Sequence, residues 1–342
     1  MQGYVWRSET NCPSDWALHI ERCGGGFHHS PLSLPVGFRD AEPIFASLWN
    51  AQDELIGLAC GARRCCRLGL HTAHLYFPSL PAFRDVAEPD AALRALVDSL
   101  EMPRVAEIEF HSFGSTWTPN MPTGGHGLPR LEHVVPLTAG AEETLRSCGS
   151  THRRWIRKGE REGWDLRRLG PADARAILGK VRRLAARRAR KRGEDFASDR
   201  GSPWLLEAHD HDLSCGWGLA AFAATDQETV LAAILVGWAG HKAYYLMGGS
   251  TPQGYRLSAA FWLHWRVMAL LAEHGCTAYN LGGTPEAGGM PEHPAHGLFR
   301  FKKGFGSEAV RCRGARWVLR PGHVRAHRLA RALADLVRPR FS

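Results

Sequence analysis

Two segments constrain the fold of this 342-residue chain more than any others. AYYLMGGS at 243–250 and TAYNLGGT at 277–284 each run through apolar positions into a glycine pair. Between them, Ser258 to His274 has the length and apolar spacing of one helix, with Gly275 as its C-cap. Thr229–Trp238 and Lys242–Gly248 read as strands joined at Gly240. A strand–helix–strand order with glycine at both strand ends belongs to a layered α/β unit.

The flanking sequence extends this pattern. Pro43–Trp49 and Asp53–Arg63 read as strands joined by a turn at Asn50–Gln52, followed by a third over 69–77. Leu93, Leu96, Val97 and Leu100 give Ala91–Leu100 an apolar helical stripe, and Val105–Phe110 alternates as a strand. A loop rich in Gly, Pro, Thr and Ser runs from Gly114 to Pro129. Beyond it, His133–Leu137 reads as a short strand and Ala141–Glu162 as a helix interrupted at Gly149. Pro171 opens a helix with Ile177, Leu178, Val181 and Leu184 inward, and Thr277–Leu281 is a buried strand. Pro321–Arg338 reads as a last helix.

The length suits two domains, and 44% hydrophobic with 23% charged residues suits a soluble globular chain. No apolar run is long enough to span a bilayer, and the first residues lack the pattern of a signal or transit peptide, so a cytoplasmic protein is expected. Nine cysteines without paired C-x-x-C spacing read as reduced, mostly buried thiols. The net charge of +9 is unevenly placed: residues 146–192 hold seventeen Lys or Arg against four Asp or Glu, and 300–342 hold twelve against two. Two basic strips on an otherwise acidic chain suit a polyanionic ligand such as RNA, although solvated arginine faces have the same composition.

Arg153, Arg157 and Arg161 lie at successive i, i+4 steps, so one helix face could grip phosphates through planar guanidinium groups. Arg154 and Lys158 extend that candidate phosphate site. His293 and His296 lie in a proline-rich loop without a third ligand nearby, so no metal site is expected there.

Taken in order, STHRRWIRKGEREGWDLRRL (150–169), the two glycine-paired strands and GLFRFKKGFGSE (297–308) resemble the Fem-type (FemABX) aminoacyl-tRNA-dependent peptidyltransferases. They also resemble the broader Fem-like acyltransferases of the GNAT fold, over roughly Val134 to Arg313. The resemblance implies an α/β (α+β layered) protein of two tandem GNAT-like domains without a coiled-coil arm. Residues 1–130 would form a degenerate first domain, and 131–342 a second carrying the motifs. Two parallel strands would part at the glycine pairs and expose backbone amides, with Gly248, Gly249, Tyr279, Gly282 and Gly283 shaping the site.

By the same resemblance Lys302 stabilises negative charge on a tetrahedral intermediate, with Lys303 as its neighbour on the donor-binding side. Strand alternation would send these two lysines to opposite sides, Lys302 emerging near the Gly282–Gly283 turn. Position 280 typically holds aspartate in a Tyr-Asp-x-Gly-Gly pattern; Asn280 keeps the shape and hydrogen bonding but not the charge, which points to a specialised acceptor. The implied reaction transfers an aminoacyl group from aminoacyl-tRNA to an amine of a peptide, cell-wall precursor or natural-product intermediate, with no cofactor. Acyl-CoA or a carrier-protein-bound acyl group is the alternative donor, and an inactive RNA- or anion-binding protein is the non-enzymatic reading. Against coenzyme A, Thr251–Ser258 lacks the glycine spacing that cradles its pyrophosphate.

Overall fold

A computed structural model describes residues 5–34, 41–65, 73–102, 104–115, 117–120, 128–138, 140–191, 193, 210–326 and 329. In the first part of the chain β1 (Val5–Glu9) and α1 (Trp16–Arg22) precede 3₁₀ turns at Phe27–His29 and Pro31–Ser33. Strands β2 (Ala41–Trp49), β3 (Leu55–Cys65), β4 (Ala73–Phe77) and β5 (Ala82–Phe83) lead to α2 (Pro89–Leu100) and β6 (Val105–Phe110). Next come β7 (Leu128–Pro136), α3 (Gly140–Ser147), α4 (Ser150–Arg161), β8 (Asp165–Leu169) and α5 (Pro171–Lys191). Then follow β9 (Trp217–Asp226), β10 (Thr229–Ala239), β11 (Lys242–Ser250), α6 (Pro252–Leu257), α7 (Ala259–Glu273) and β12 (Ala278–Thr284). The chain closes with a 3₁₀ turn at Glu286–Gly289, α8 (His296–Lys303) and β13 (Glu308–Val318). Residues 321–326 are helical; most of the helix expected over 321–338 lies outside the described residues.

Strands follow the order β1-β2-β3-β4-β6-β13-β7-β12-β11-β10-β9-β8, with β5 on β3. Both parts of the sheet are covered on both faces. Around β9 and β10, even-numbered residues such as Phe222, Ile234 and Trp238 pack with Trp262, Val267 and Leu271 of α7. Odd-numbered ones such as Ala221, Ala223 and Leu235 pack with Leu178 and Val181 of α5. Burial on both faces explains why these strands read as nearly unbroken apolar runs. In the first part, Leu93, Leu96 and Val97 of α2 cover Leu75, Phe77 and Ile108, while Trp16 and Ile20 of α1 cover Phe45 and Leu58 on the other side.

The strands 43–49, 105–110 and 229–238, and the break between α3 and α4, fall where the sequence places them. β9 was not expected; its alanine-rich WGLAAFAATD lacks alternation, and only Trp217, Phe222 and Thr225 are of the types that favour strands. The third strand is seen over 73–77, and 69–72 lie outside the described residues. One expectation is corrected. Phe301 to Lys303 close α8 instead of forming a strand, because the inward residues Phe299, Lys302 and Phe305 recur at helical spacing.

Residue 130, near which a division is expected, lies within β7. Strand order runs through this point without interruption because β13 serves both sides: Glu308–Gly314 pair with β7, and Ala315–Val318 pair with β6. Among the described residues, no helix is long and apolar enough to cross a membrane.

Candidate active site

β11 and β12 pair in parallel only over Lys242–Tyr244 and Ala278–Asn280, and then part. Each strand carries a register shift where this happens. In β11 the pairing to β10 steps from Met247 to Tyr245 against adjacent residues, leaving Leu246 as the extra residue. In β12 the pairing to β7 steps from Asn280–Val134 to Gly283–Glu132, again one residue too many. A bulge bends its strand and re-aims the backbone. Two of them, one on each arm, open a V in the middle of the sheet.

The Gly282–Gly283 pair has a separate physical reason at each position. Gly282 has φ +76°, a left-handed conformation that side chains strain against. At Gly283 a Cβ would lie 2.3 Å from Nη2 of Arg130, so the guanidinium occupies the space that a side chain would take. Gly248 and Gly249 stand in the arm of β11 that has left β12, packed towards β10 and α5 respectively.

Lys302 reaches this V from the last turn of α8. Its Nζ donates to the Gly283 carbonyl at 2.9 Å, and a Cβ built at Gly282 would lie 3.6 Å from it. The residue is 5% exposed. Burial and the Arg130 charge pull the Lys302 ammonium down to about 7, against a smaller opposing pull from Glu132. Lys303 turns the other way and donates to the Ser307 carbonyl at 2.8 Å.

Asn280 sits at the point of parting. Its Oδ1 accepts the Gly282 amide at 2.8 Å, and its Nδ2 donates to Oε2 of Glu132 at 2.6 Å. Tyr279, the preceding residue, points to the opposite face, where its hydroxyl meets Nδ1 of His264 at 3.1 Å. Burial and Lys302 hold His264 down to about 3, and burial with Lys302 and Lys303 holds His133 to about 4.

Against the open side of Tyr244 and Asn280 lies a cavity of about 310 Å³. Val134 and Val310 line its floor, and Phe27, His28 and Phe113 from the first part of the chain form its roof. The His28 and Tyr244 rings meet edge to face at 4.4 Å, and Nε2 of His28 has no hydrogen-bond partner among the described residues.

The arginines of α4 separate into two groups. Arg153 donates to the Arg146 carbonyl at 3.0 Å and to the Cys148 carbonyl, closing the C-terminal end of α3. Arg154 and Lys158 lie over the Trp155 ring, and Arg157 and Arg161 are exposed. The start of α4 is tied to the end of α8 by His152 to the Phe301 carbonyl at 2.8 Å, and by the Gly149 amide to the Gly304 carbonyl at 2.8 Å. The Lys302 helix and the basic helix are therefore neighbours.

At α6, Thr251 Oγ1 accepts the Gly254 amide at 3.1 Å. His293 and His296 bond backbone atoms of their own loop. Among the described residues, no group of three or more His, Cys, Asp or Glu is placed to hold a metal.

Glu132, Arg130 and Tyr244 are the site residues that sequence reasoning did not single out. For Arg130 and Glu132 the signal is the RLE step at 130–132, two opposite charges at i, i+2 on one face of a strand.

Residues 146–303 match a family model described as an acetyltransferase (GNAT) domain. No curated protein matches this chain. Among solved structures, the crystal structure of FemX is similar over 94% of this chain and 99% of that chain, with TM-score 0.71 and 14% identity. The C-terminal domain of a putative lysylphosphatidylglycerol synthetase from Agrobacterium fabrum is similar over 93% of this chain and 96% of its own, with TM-score 0.50 and 16% identity. A conserved protein of unknown function from Bacteroides thetaiotaomicron is similar over 92% and 99%, with TM-score 0.52 and 10% identity. At such identities the likeness is one of fold: the chain has a fold like that of FemX, and its residues 146–303 match the GNAT domain model.

Proposed function

We propose that this protein is an amide-forming acyltransferase that takes an aminoacyl group from aminoacyl-tRNA in the cytoplasm. The observation that carries this reading is the buried Lys302 ammonium, held at the mouth of a V where two bulged strands part. An amine attacks the ester carbonyl, the C–N bond forms and the C–O bond breaks. The amine loses a proton, and the tRNA ribose hydroxyl leaves with one. Negative charge gathers on the carbonyl oxygen in between, where a preorganised cation and backbone amides are worth most. The activated ester drives the reaction, so the scheme calls for no resident cofactor or metal.

Two features favour tRNA over coenzyme A. Arg157 and Arg161 are exposed on a helix whose start is tied to the end of α8, offering phosphates a basic surface on the helix next to the one that carries Lys302. The Gly254 amide, at the turn where a pyrophosphate cradle is expected, is already taken by Thr251. The acceptor's body fits the cavity beside Asn280, whose apolar walls favour a compact ring or aliphatic group bearing a primary amine.

The test is single-turnover transfer, followed by mass spectrometry, with charged total tRNA in one arm and a panel of acyl-CoAs in the other. Benzylamine and a lysine-terminated peptide serve as acceptor probes. We expect products in the tRNA arm, with RNA binding that weakens steeply as salt rises. Products in the acyl-CoA arm alone would replace the donor and keep the chemistry.

A further inference from the structure

Three hydrogen-bond donors and one guanidinium converge on one buried carboxylate. Glu132 is 1% exposed. Its Oε1 accepts the Tyr244 hydroxyl of β11 at 2.8 Å and forms an ion pair with Nη2 of Arg130 at 3.1 Å. Its Oε2 accepts Nδ2 of Asn280 on β12 at 2.6 Å and the Gly114 amide, from the loop after β6, at 2.9 Å. Asn280 passes the connection on by accepting the Gly282 amide at 2.8 Å, and Lys302 grips the next carbonyl, Gly283, at 2.9 Å. One amide side chain and one bulge thus separate the carboxylate from the ammonium.

Residue 280 shows why the parts are arranged this way. Asparagine can donate to Glu132 and accept from Gly282 at the same time, whereas an aspartate there can only accept. The aspartate of the Fem-type pattern would set two carboxylates about 2.6 Å apart, and both could not stay ionised. In this chain the negative charge stands one strand away and the amide stands at 280. We propose that Glu132 is the positioning residue of the site, placing Lys302 through Asn280 and the Gly282–Gly283 bulge and supplying from β7 the charge that the pattern carries on β12. This rests on the reading of Lys302 as the group that stabilises the intermediate.

Among the described residues, the surroundings of Lys302 give Glu132 this role without a rival carboxylate in its field. From β7 it faces Arg130, Glu132 and His133; from α7 it faces His264. Lys303 adjoins it on α8, and Tyr244 and Tyr245 border the Gly282 turn. Arg130 disfavours its charge and Glu132 favours it. The two histidines are held neutral and add no charge near pH 7.

The test exchanges the two groups and reads Lys302 directly. Reductive methylation with formaldehyde, followed by peptide mass spectrometry across pH, titrates this lysine without any substrate. Glu132→Gln should lower the midpoint by about one unit, since losing an anion favours the neutral amine. The exchange Glu132→Gln with Asn280→Asp should bring it back to within about half a unit. Single-turnover transfer should fall about tenfold or more in each single variant and recover in the exchange. Glu132→Asp keeps the charge but shortens its reach. It should hold the midpoint and lose rate, and it serves where Glu132→Gln does not fold. An exchange no better than the worse single variant, or Glu132→Asp at full rate, overturns the proposal. Lys302→Met run alongside separates the readings: full activity there overturns the role of Lys302 itself, whatever Glu132 does.

Discussion

Burying an ammonium is costly unless something nearby favours its charge. Lys302 has one hydrogen bond to a carbonyl and the field of Glu132, with Arg130 working against both. Lys302→Met should therefore cost little stability: removing a desolvated charge offsets the loss of one hydrogen bond of about 1 kcal/mol. Transfer should fall on the order of 10²–10³-fold, the usual loss for a preorganised electrostatic stabiliser. Thermal melting and single-turnover rates on the same sample check this; a variant that melts much earlier yet still transfers would make Lys302 a structural residue. The lysine was legible in the sequence because Phe-Lys before a glycine step is a recognisable pattern. Its setting was not legible, since nothing local marks Glu132 as the counter-charge across two strands.

At the scale of elements, the glycine pairs told where β11 and β12 end, but not that a bulge on each strand would force them apart. Bulges depend on which partner strand is present, and that is long-range information. Helix α4 shows the same limit. Its arginines look equivalent along the sequence at i, i+4, yet the first faces the carbonyls that end α3 and the later ones face solvent. Their substitutions should separate accordingly. Arg153→Ala leaves carbonyls at the end of α3 without their charged donor and should cost roughly 1.5–3 kcal/mol of stability. Arg157→Ala with Arg161→Ala should stay within about 0.5 kcal/mol per site, while lowering the salt slope of RNA binding by about 0.7 per lost phosphate contact. Denaturant melts and binding isotherms at several salt concentrations read both effects. Equal stability loss, or an unchanged slope in the double variant, would remove α4 from the donor surface.

At the scale of the whole molecule, β13 pairs with strands from both parts of the chain, and a local pattern could not reveal it. The layered class and most helices of the second part followed from periodicity, whereas the joining strand is fixed by pairing across distant sequence. The molecule also shares one pH liability across its length. His29, beneath the first sheet region, is held down to about 4 by burial, as are His133 to about 4 and His264 to about 3. Their folded values lie below 6.5, the unfolded value, so between these limits the unfolded chain binds more protons. The contribution of these histidines should therefore be full above about pH 7 and be lost as pH drops through 6.5 towards 4, by about 2 kcal/mol per histidine at pH 5. The urea midpoint measured from pH 7.5 to 5 tests this. His264→Phe, which keeps a buried ring and cannot take a proton, should flatten part of the decline. A midpoint that holds steady or rises on acidification would mean that these histidines are not buried neutral, and that the packing around Lys302 differs from the one described.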